Sequence, residues 1–398
     1  MKCTLKLLIS KYFQIPIKLS LGGLTFAWIM KVDLDITPLP DWLDLSGEPL
    51  LVAGPCSAET EEQVMQTARQ LSELTPVRIF RAGIWKPRTR PDSFEGMGEP
   101  ALEWVVKAGK ENALLTAVEV ANANHVEQAL KAGIDILWIG ARTTVNPFYV
   151  QEIADAVRGT STPVFVKNPV NPDLPLWLGA FERLNKAGIK KLVAVHRGFS
   201  SYSEKVFRNA PDWKIPIELM RIQPNLPVIC DPSHIAGERD LLHQVAQKAL
   251  DLDMQGIMLE THPNPDHAWS DAKQQITPFR LKELYNSLIF RKRGSENLAF
   301  NTKLEDLRHE IDKLDRVLID TIGQRMKIIA EIGQYKKENQ ITILQMDRWN
   351  KILQNARNYS DVVGLEREFV VAVFNQLHLE SIKIQTEVMN EADRMLEK

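Results

Sequence analysis

Between residues 50 and 288 the chain repeats one pattern: a short apolar run, a polar loop, then an amphipathic stretch. The apolar runs cover 50–53, 77–80, 113–120, 136–140, 164–166, 192–195, 228–230 and 256–259. Their length and the turn residues that bound them predict β-strands. Helices are expected at 61–74, 101–110, 124–131, 146–157, 176–186, 239–252 and 278–288. Gly133 and Gly188 sit in Ala-Gly stops that suit a left-handed helix C-cap. Eight strand–helix units in about 240 residues are the count and size of an α/β barrel of the (β/α)8 (TIM) type, whose active sites occupy the C-terminal strand ends. A doubly wound open sheet competes, but it usually has fewer strands and carries its ligand at one switch point.

The residues at the end of each run favour the barrel. In order, the runs lead into Gly54-Pro55-Cys56-Ser57, Arg81, Glu119, Gly140-Ala141-Arg142, Lys167-Asn168, His196-Arg197, Asp231-Pro232-Ser233-His234 and Glu260-Thr261-His262. Charged or reactive groups at the same end of every strand predict one polar, mostly cationic mouth. The second loop is the most distinctive, because Arg81, Lys86 and Arg88 fall within eight residues. Pro87 stiffens the backbone where those charges sit. An isolated basic loop is usually a solvated surface feature. Here Arg81, Lys86, Arg88, Arg142, Lys167 and Arg197 would share one cleft and repel each other unless ligands bring several negative charges. One phosphorylated carboxylic acid and one further phosphate would balance them.

Cys56, His234, Glu260 and Asp271 form a second set. Thiolate, imidazole and two carboxylates suit one borderline divalent ion such as Mn, Fe, Co or Zn. No pair has zinc-finger spacing, so the site would assemble only on folding. Taken singly, Cys56 also suits a turn and His234 a cap on Asp231.

Overall charge is nearly balanced, with 49 Lys+Arg against 51 Asp+Glu, so neither nucleic acid nor a membrane surface is an expected partner. Three widely spaced cysteines, Cys3, Cys56 and Cys230, exclude a disulfide framework and suit a reducing cytoplasm. Residues 1–29 loosely imitate a signal peptide, but the apolar run is interrupted and too short for a membrane span. Met30 is the expected start of the native protein.

The motifs Gly54-Pro55-Cys56-Ser57, Lys86-Pro87-Arg88-Thr89, Gly140-Ala141-Arg142-Thr143-Thr144, Asp231-Pro232-Ser233-His234 and Glu260 to Asp271 resemble the type I 3-deoxy-7-phosphoheptulonate (DAHP) synthases. That family joins phosphoenolpyruvate to erythrose 4-phosphate. The resemblance implies metal ligands at Cys56, His234, Glu260 and Asp271. It implies that Arg81, Lys86 and Lys167 hold the phosphoenolpyruvate carboxylate and its surroundings, and that Arg142 and Arg197 hold its phosphate. Arg88 and Thr89 would take the sugar phosphate. Glu119 falls near the reacting centre, His196 is a further candidate near the water that completes the reaction, and Lys86 is placed to donate a proton. The sister octulosonate 8-phosphate synthases are the competing reading, and Pro87 with Thr89 argues against them.

After a charged linker the strand pattern stops. Leu304, Leu307, Ile311, Leu314, Leu318, Ile322, Ile329 and Ile332 trace one long helical stripe, with shorter helices expected at 347–357 and 362–390. Arg325 and Lys336 are eleven residues apart and share a face, where two buried cations are costly without an anion. Arg308 points elsewhere, into a different pocket such as a partner subunit's. The ordered set Arg308, Arg325, Lys336, Arg348, Ser381 and Gln385 is similar to the all-helical (AroQ-type) chorismate mutases, which are intertwined dimers. The resemblance implies that Arg308 and Arg325 clamp carboxylates while Lys336 and Gln385 address the ether oxygen of chorismate. Gln345 and Trp349 depart from it, since the family usually has acidic residues there. The other reading of this tail is a binding module in which chorismate or prephenate damps the barrel. The expected organisation is an extension over 1–44, a synthase barrel over 45–292, a linker over 293–303 and a mutase domain over 304–398, in a homodimer or dimer of dimers.

Overall fold

The computed structural model describes residues 20–21, 24–25, 33–45, 47–86 and 94–390. Most of the 1–29 extension, and Arg88 with Thr89, lie outside the described residues. The chain divides into two compact units, residues 28–293 and a unit holding residues 294–398.

The first unit is a closed barrel of eight parallel strands. These are β1 (Leu50–Gly54), β2 (Ile79–Ala82), β3 (Leu115–Val120), β4 (Ile136–Ile139), β5 (Val164–Lys167), β6 (Leu192–His196), β7 (Val228–Cys230) and β8 (Gly256–Glu260). Each strand pairs with the next, and β8 closes on β1 with Glu260 opposite Gly54. The main crossover helices are α1 (Glu61–Leu74), α2 (Pro100–Asn112), α3 (Ala123–Ala132), α4 (Pro147–Ala156), α5 (Leu174–Lys186), α6 (Lys214–Ile222), α7 (Leu242–Asp251) and α8 (Pro278–Ser287). Thr60, Asn122, Asp173 and Thr277 cap α1, α3, α5 and α8 by accepting backbone N–H bonds.

Side chains alternate across each strand, and the two faces bury different things. Val52, Ile79, Trp138, Phe165, Val193 and Met258 fill the barrel interior, and Leu39 and Leu43 join the same cluster from the segment before β1. Leu51, Phe80, Val118, Val166, Ala194 and Leu259 face outward into the cluster formed with the helices. Fully burying one such side chain contributes about 1.5–3 kcal/mol. Continuing the inward phase by two residues toward each C-terminal strand end gives Gly54, Arg81, Glu119, Gly140, Lys167, Arg197, Asp231 and Glu260. The barrel therefore ends in an inward ring of polar residues and two glycines above an apolar interior.

The second unit is helical: α9 (Leu298–Glu338), α10 (Met346–Val363) and α11 (Arg367–Asn390). At 41 residues, α9 spans about 60 Å. Helix α11 packs on both α9 and α10. Three boundaries differ from expectation, one of them the end of α10, which runs to Val363 and not to 357. Asn297 caps α9 at Phe300 N, so helix begins inside the stretch read as a linker. Gly364, at φ 70, ends α10 after Val363, so the last helix starts at Arg367 and not near Val362. Leu307, Ile311, Leu314 and Leu318 of α9 are exposed.

Candidate functional site

The end of β1 and the end of β2 must approach closely to build the mouth. A Cβ at Gly54 would lie 2.0 Å from Arg81 O, and one at Gly140 would lie 2.0 Å from a Glu119 carboxylate oxygen. Only glycine leaves room for those neighbours.

Arg81 and Glu260, inward neighbours across β1, form a buried ion pair at 2.9 Å. The Arg81 guanidinium also lies over the Trp138 ring, 4.8 Å from its centroid. Trp138 in turn donates its indole N–H to Glu119 at 3.2 Å. Lys167 Nζ donates to Asp231 Oδ2 at 2.8 Å, again buried inside the barrel. Such pairs are costly to break, because removing one partner strands a buried charge.

Cys56, Glu260 and Asp271 offer a sulfur and two carboxylate oxygens within 4.8 Å of one another. Cys56 Sγ accepts from Lys86 Nζ at 2.7 Å and lies 3.1 Å from Ser270 Oγ and 3.3 Å from Asp271 Oδ2. Burial and the nearby Glu260 push the Cys56 thiol up to about 12. Asp271 holds a left-handed backbone at φ 48, a conformation that costs a non-glycine residue energy. Burial opposes its ionisation, but Arg208, His234 and Lys86 outweigh that and hold it below the usual carboxylate range. Arg208 donates to Asp271 at 3.0 Å and to Gln274 at 2.6 Å, while Gln274 donates to Glu260 at 2.6 Å.

His234 stands at the edge of this trio, with Nε2 3.9 Å from Glu260 Oε1 and Nδ1 2.8 Å from Asp231 Oδ2. Burial lowers its pKa, so the imidazole is neutral at pH 7. An acidic partner at Nδ1 leaves Nε2 as the nitrogen facing the trio, the arrangement that orients metal-bound histidines. The trio joins a thiol, neutral while its pKa is raised, to two carboxylates held by Arg81 and Arg208, and a cation bound among them would favour the thiolate. The donor set therefore fits one divalent ion of borderline hardness.

Arg197 is buried, and burial lowers its pKa to about 10, with Arg142 and Arg208 adding to the decrease. Three cations thus crowd one side of the mouth. His196 lies elsewhere than expected. It follows inward-facing Val195, so it points outward, where its ring packs 5.1 Å from Trp213 and 5.7 Å from Phe199. It cannot position a water in the mouth. Sequence reasoning missed Arg208 and Gln274, which carry no motif signal, and the Asp231 contact to Lys167, whereas the pairing of His234 with Asp231 was among its readings.

The helical unit brings a second group together. Arg325 on α9 donates to Ser381 Oγ on α11 at 2.8 Å. Gln385 is buried against Gly333, where an added Cβ would meet its Cγ at 3.2 Å. Lys336 donates to Ile343 O at 2.5 Å. Burial lowers the pKa of both Arg325 and Lys336, with no acidic residue acting against it. Arg308 is exposed and pairs with Glu305, one turn earlier, and Arg348 is exposed on α10. These two are not drawn into the group.

A closed (β/α)8 barrel with a cationic, thiol-containing mouth, followed by a helical unit that gathers Arg325, Ser381 and Gln385, defines a two-part enzyme. Residues 44–291 match the family model of the DAHP synthetase I family, and residues 307–386 match chorismate mutase type II. The chain belongs to the DAHP synthetase I family and carries a C-terminal chorismate mutase domain. A phospho-2-dehydro-3-deoxyheptonate aldolase of Thermotoga maritima is 33% identical over 238 residues, 60% of this chain and 68% of that protein. A crystal structure of that Thermotoga maritima aldolase superposes with a TM-score of 0.56 at 31% identity, covering 63% of this chain and 72% of the other. A 2-dehydro-3-deoxyphosphooctonate aldolase of Variovorax paradoxus is 25% identical over 65% of this chain and 94% of its own length.

Proposed function

We propose that the barrel condenses phosphoenolpyruvate with erythrose 4-phosphate and water to 3-deoxy-D-arabino-heptulosonate 7-phosphate and phosphate, and that the helical unit rearranges chorismate to prephenate. The observation that carries the first reading is the cluster at the C-terminal strand ends, where Cys56, Glu260 and Asp271 lie beside Lys86, Arg81 and His234. Cys56, His234, Glu260 and Asp271 would hold a divalent ion, with Mn, Fe, Co and Zn as candidates. When bound, that ion supplies Lewis acidity for the aldehyde oxygen of the sugar phosphate.

Arg81 and Lys167 bind and orient the phosphoenolpyruvate carboxylate from the barrel interior, while Arg142 and Arg197 take its phosphate. The enol carbon forms a bond to the aldehyde carbon, leaving positive charge on the carbon that bears the phosphate. Water adds there, and the C–O bond to phosphate breaks with the leaving charge already neutralised by arginines. Lys86 Nζ, beside the ligand set, gives its proton to the new hydroxyl oxygen. Arg88 and Thr89 are assigned to the sugar phosphate from the Lys86–Thr89 motif.

In the helical unit, Arg325 clamps a carboxylate and Lys336 with Gln385 faces the ether oxygen, a pericyclic step that needs only positioning and charge. The exposed apolar stripe of α9 supports a homodimer in which Arg308 serves the partner's pocket. Unpaired cysteines Cys56 and Cys230 support a cytoplasmic setting. Among the described residues no helix is long and apolar enough to cross a membrane. The Gln345 and Trp349 departures support a regulatory role for the same pocket, with prephenate or chorismate damping the synthase. Product analysis tests the barrel reading: formation of a seven-carbon sugar acid from erythrose 4-phosphate supports it, and turnover only of arabinose 5-phosphate overturns it.

A further inference from the structure

The helical pocket contains an aromatic pair that the proposed rearrangement leaves unused. The imidazole of His378 on α11 stacks on the indole of Trp349 on α10, with ring centroids 3.8 Å apart and planes 8° from parallel. His378, Ser381 and Gln385 are spaced by three and four residues, so they share one face of α11. That face receives Arg325, which donates to Ser381. His378 therefore stands at the junction of the three helices, in line with the groups already assigned to the ligand.

The donors around it are committed, and Gln385 Oε1 is the one buried side-chain oxygen among the described residues of the helical unit left without a partner. Ser381 Oγ takes the Arg325 bond and donates to Leu377 O, and Gln385 Nε2 donates to Ser381 O. Neither ring nitrogen of His378 is bonded to a described residue. Burial lowers its pKa, and Arg325 and Lys336 lower it further, so the ring is neutral at pH 7. It then offers one donor and one acceptor. Arg325 and Lys336 suit carboxylates and an ether oxygen, but neither can accept a proton from a hydroxyl. Chorismate carries such a hydroxyl on its ring. The Trp349 stack holds the imidazole in one orientation and covers one of its faces, which reduces the entropy lost on binding.

We propose that His378, held by Trp349, is a specificity-determining contact that hydrogen-bonds the ring hydroxyl of the dicarboxylate ligand. This rests on the assignment of the pocket to chorismate and prephenate. Gln345, exposed at the start of α10, is not needed for that contact.

The test uses the full-length protein and two probes: an oxabicyclic dicarboxylate that mimics the pericyclic transition state, and the same compound lacking its ring hydroxyl. His378→Phe keeps a ring against Trp349 and removes both nitrogens. It is expected to weaken the hydroxylated probe about tenfold and leave the deoxy probe unchanged, with His378→Gln recovering part of the loss. Chorismate KM should rise by a similar factor, with a smaller change in kcat. Equal effects on both probes, or none, would overturn the role of His378 while leaving the pocket assignment intact. Failure of the unsubstituted protein to bind either probe would overturn both. Should His378→Phe not fold, imidazole 15N shifts of the unsubstituted protein decide: movement with the hydroxylated probe alone supports the contact, and equal or no movement overturns it.

Discussion

Lys86 Nζ lies 2.7 Å from Cys56 Sγ, so this cation of the loop after β2 is docked onto the thiol of the proposed metal set. That contact joins the proposed substrate loop to the proposed metal ligands, and removing either partner should affect both. Cys56→Ala is predicted to abolish tight metal binding and lower synthase kcat by more than about 10²-fold, while the fold survives because the replacement is small and apolar. Metal content after dialysis and steady-state rates check it. Retained stoichiometric metal would contradict the ligand assignment.

Asp231 bridges Lys167 and His234, and is predicted to orient the histidine without touching the substrate. Asp231→Asn should weaken metal affinity by about 10–100-fold. Lys167→Met leaves a buried carboxylate short of its partner and should cost about 3–5 kcal/mol of stability. Chelator competition measures the first and thermal melting the second.

His196 gives a pH dependence of stability. Burial lowers its pKa from 6.5 to about 3 in the fold. Between these values the unfolded chain binds the extra proton, so the stability this neutral histidine supports is complete above about pH 6.5 and declines as pH falls toward 3. The slope from this one residue approaches about 1.4 kcal/mol per pH unit within that window. His196→Phe, in a shell already lined by Phe199 and Trp213, should flatten the decline. An unchanged slope in melts from pH 7 to pH 5 would contradict it.

How much of this was legible in the sequence depends on the residue. The strand count, the barrel and the inward charges Arg81, Glu119, Lys167 and Glu260 followed from apolar runs ending in charge. His196 did not, because Leu192-Val193-Ala194-Val195 is apolar on both faces and carries no inward or outward signal. Arg208 sits in a loop without periodicity, and only folding brings it to Asp271. The long α9 stripe was readable, but the break after α10 was not, since Val362 and Val363 continue the apolar pattern up to Gly364.

For the helical unit, Lys336→Ala is predicted to reduce mutase kcat by more than about 10²-fold, as expected for a donor aimed at developing charge. Inhibition of the synthase by prephenate should persist, because Arg325 and Ser381 remain. Loss of both effects would show that rearrangement and sensing cannot be separated.

Leu314→Glu, on the exposed face of α9, should lower the mass in solution to that of a monomer of 45.3 kDa. Unchanged mass by light scattering would exclude that face from the interface.

The most direct test of the central claim is phosphoenolpyruvate consumption by metal-stripped protein, supplied with erythrose 4-phosphate or arabinose 5-phosphate, before and after adding Mn. No consumption is expected without metal, and consumption after Mn is expected only with the four-carbon sugar. Full activity in protein shown by elemental analysis to lack metal would contradict the assignment of Cys56, His234, Glu260 and Asp271.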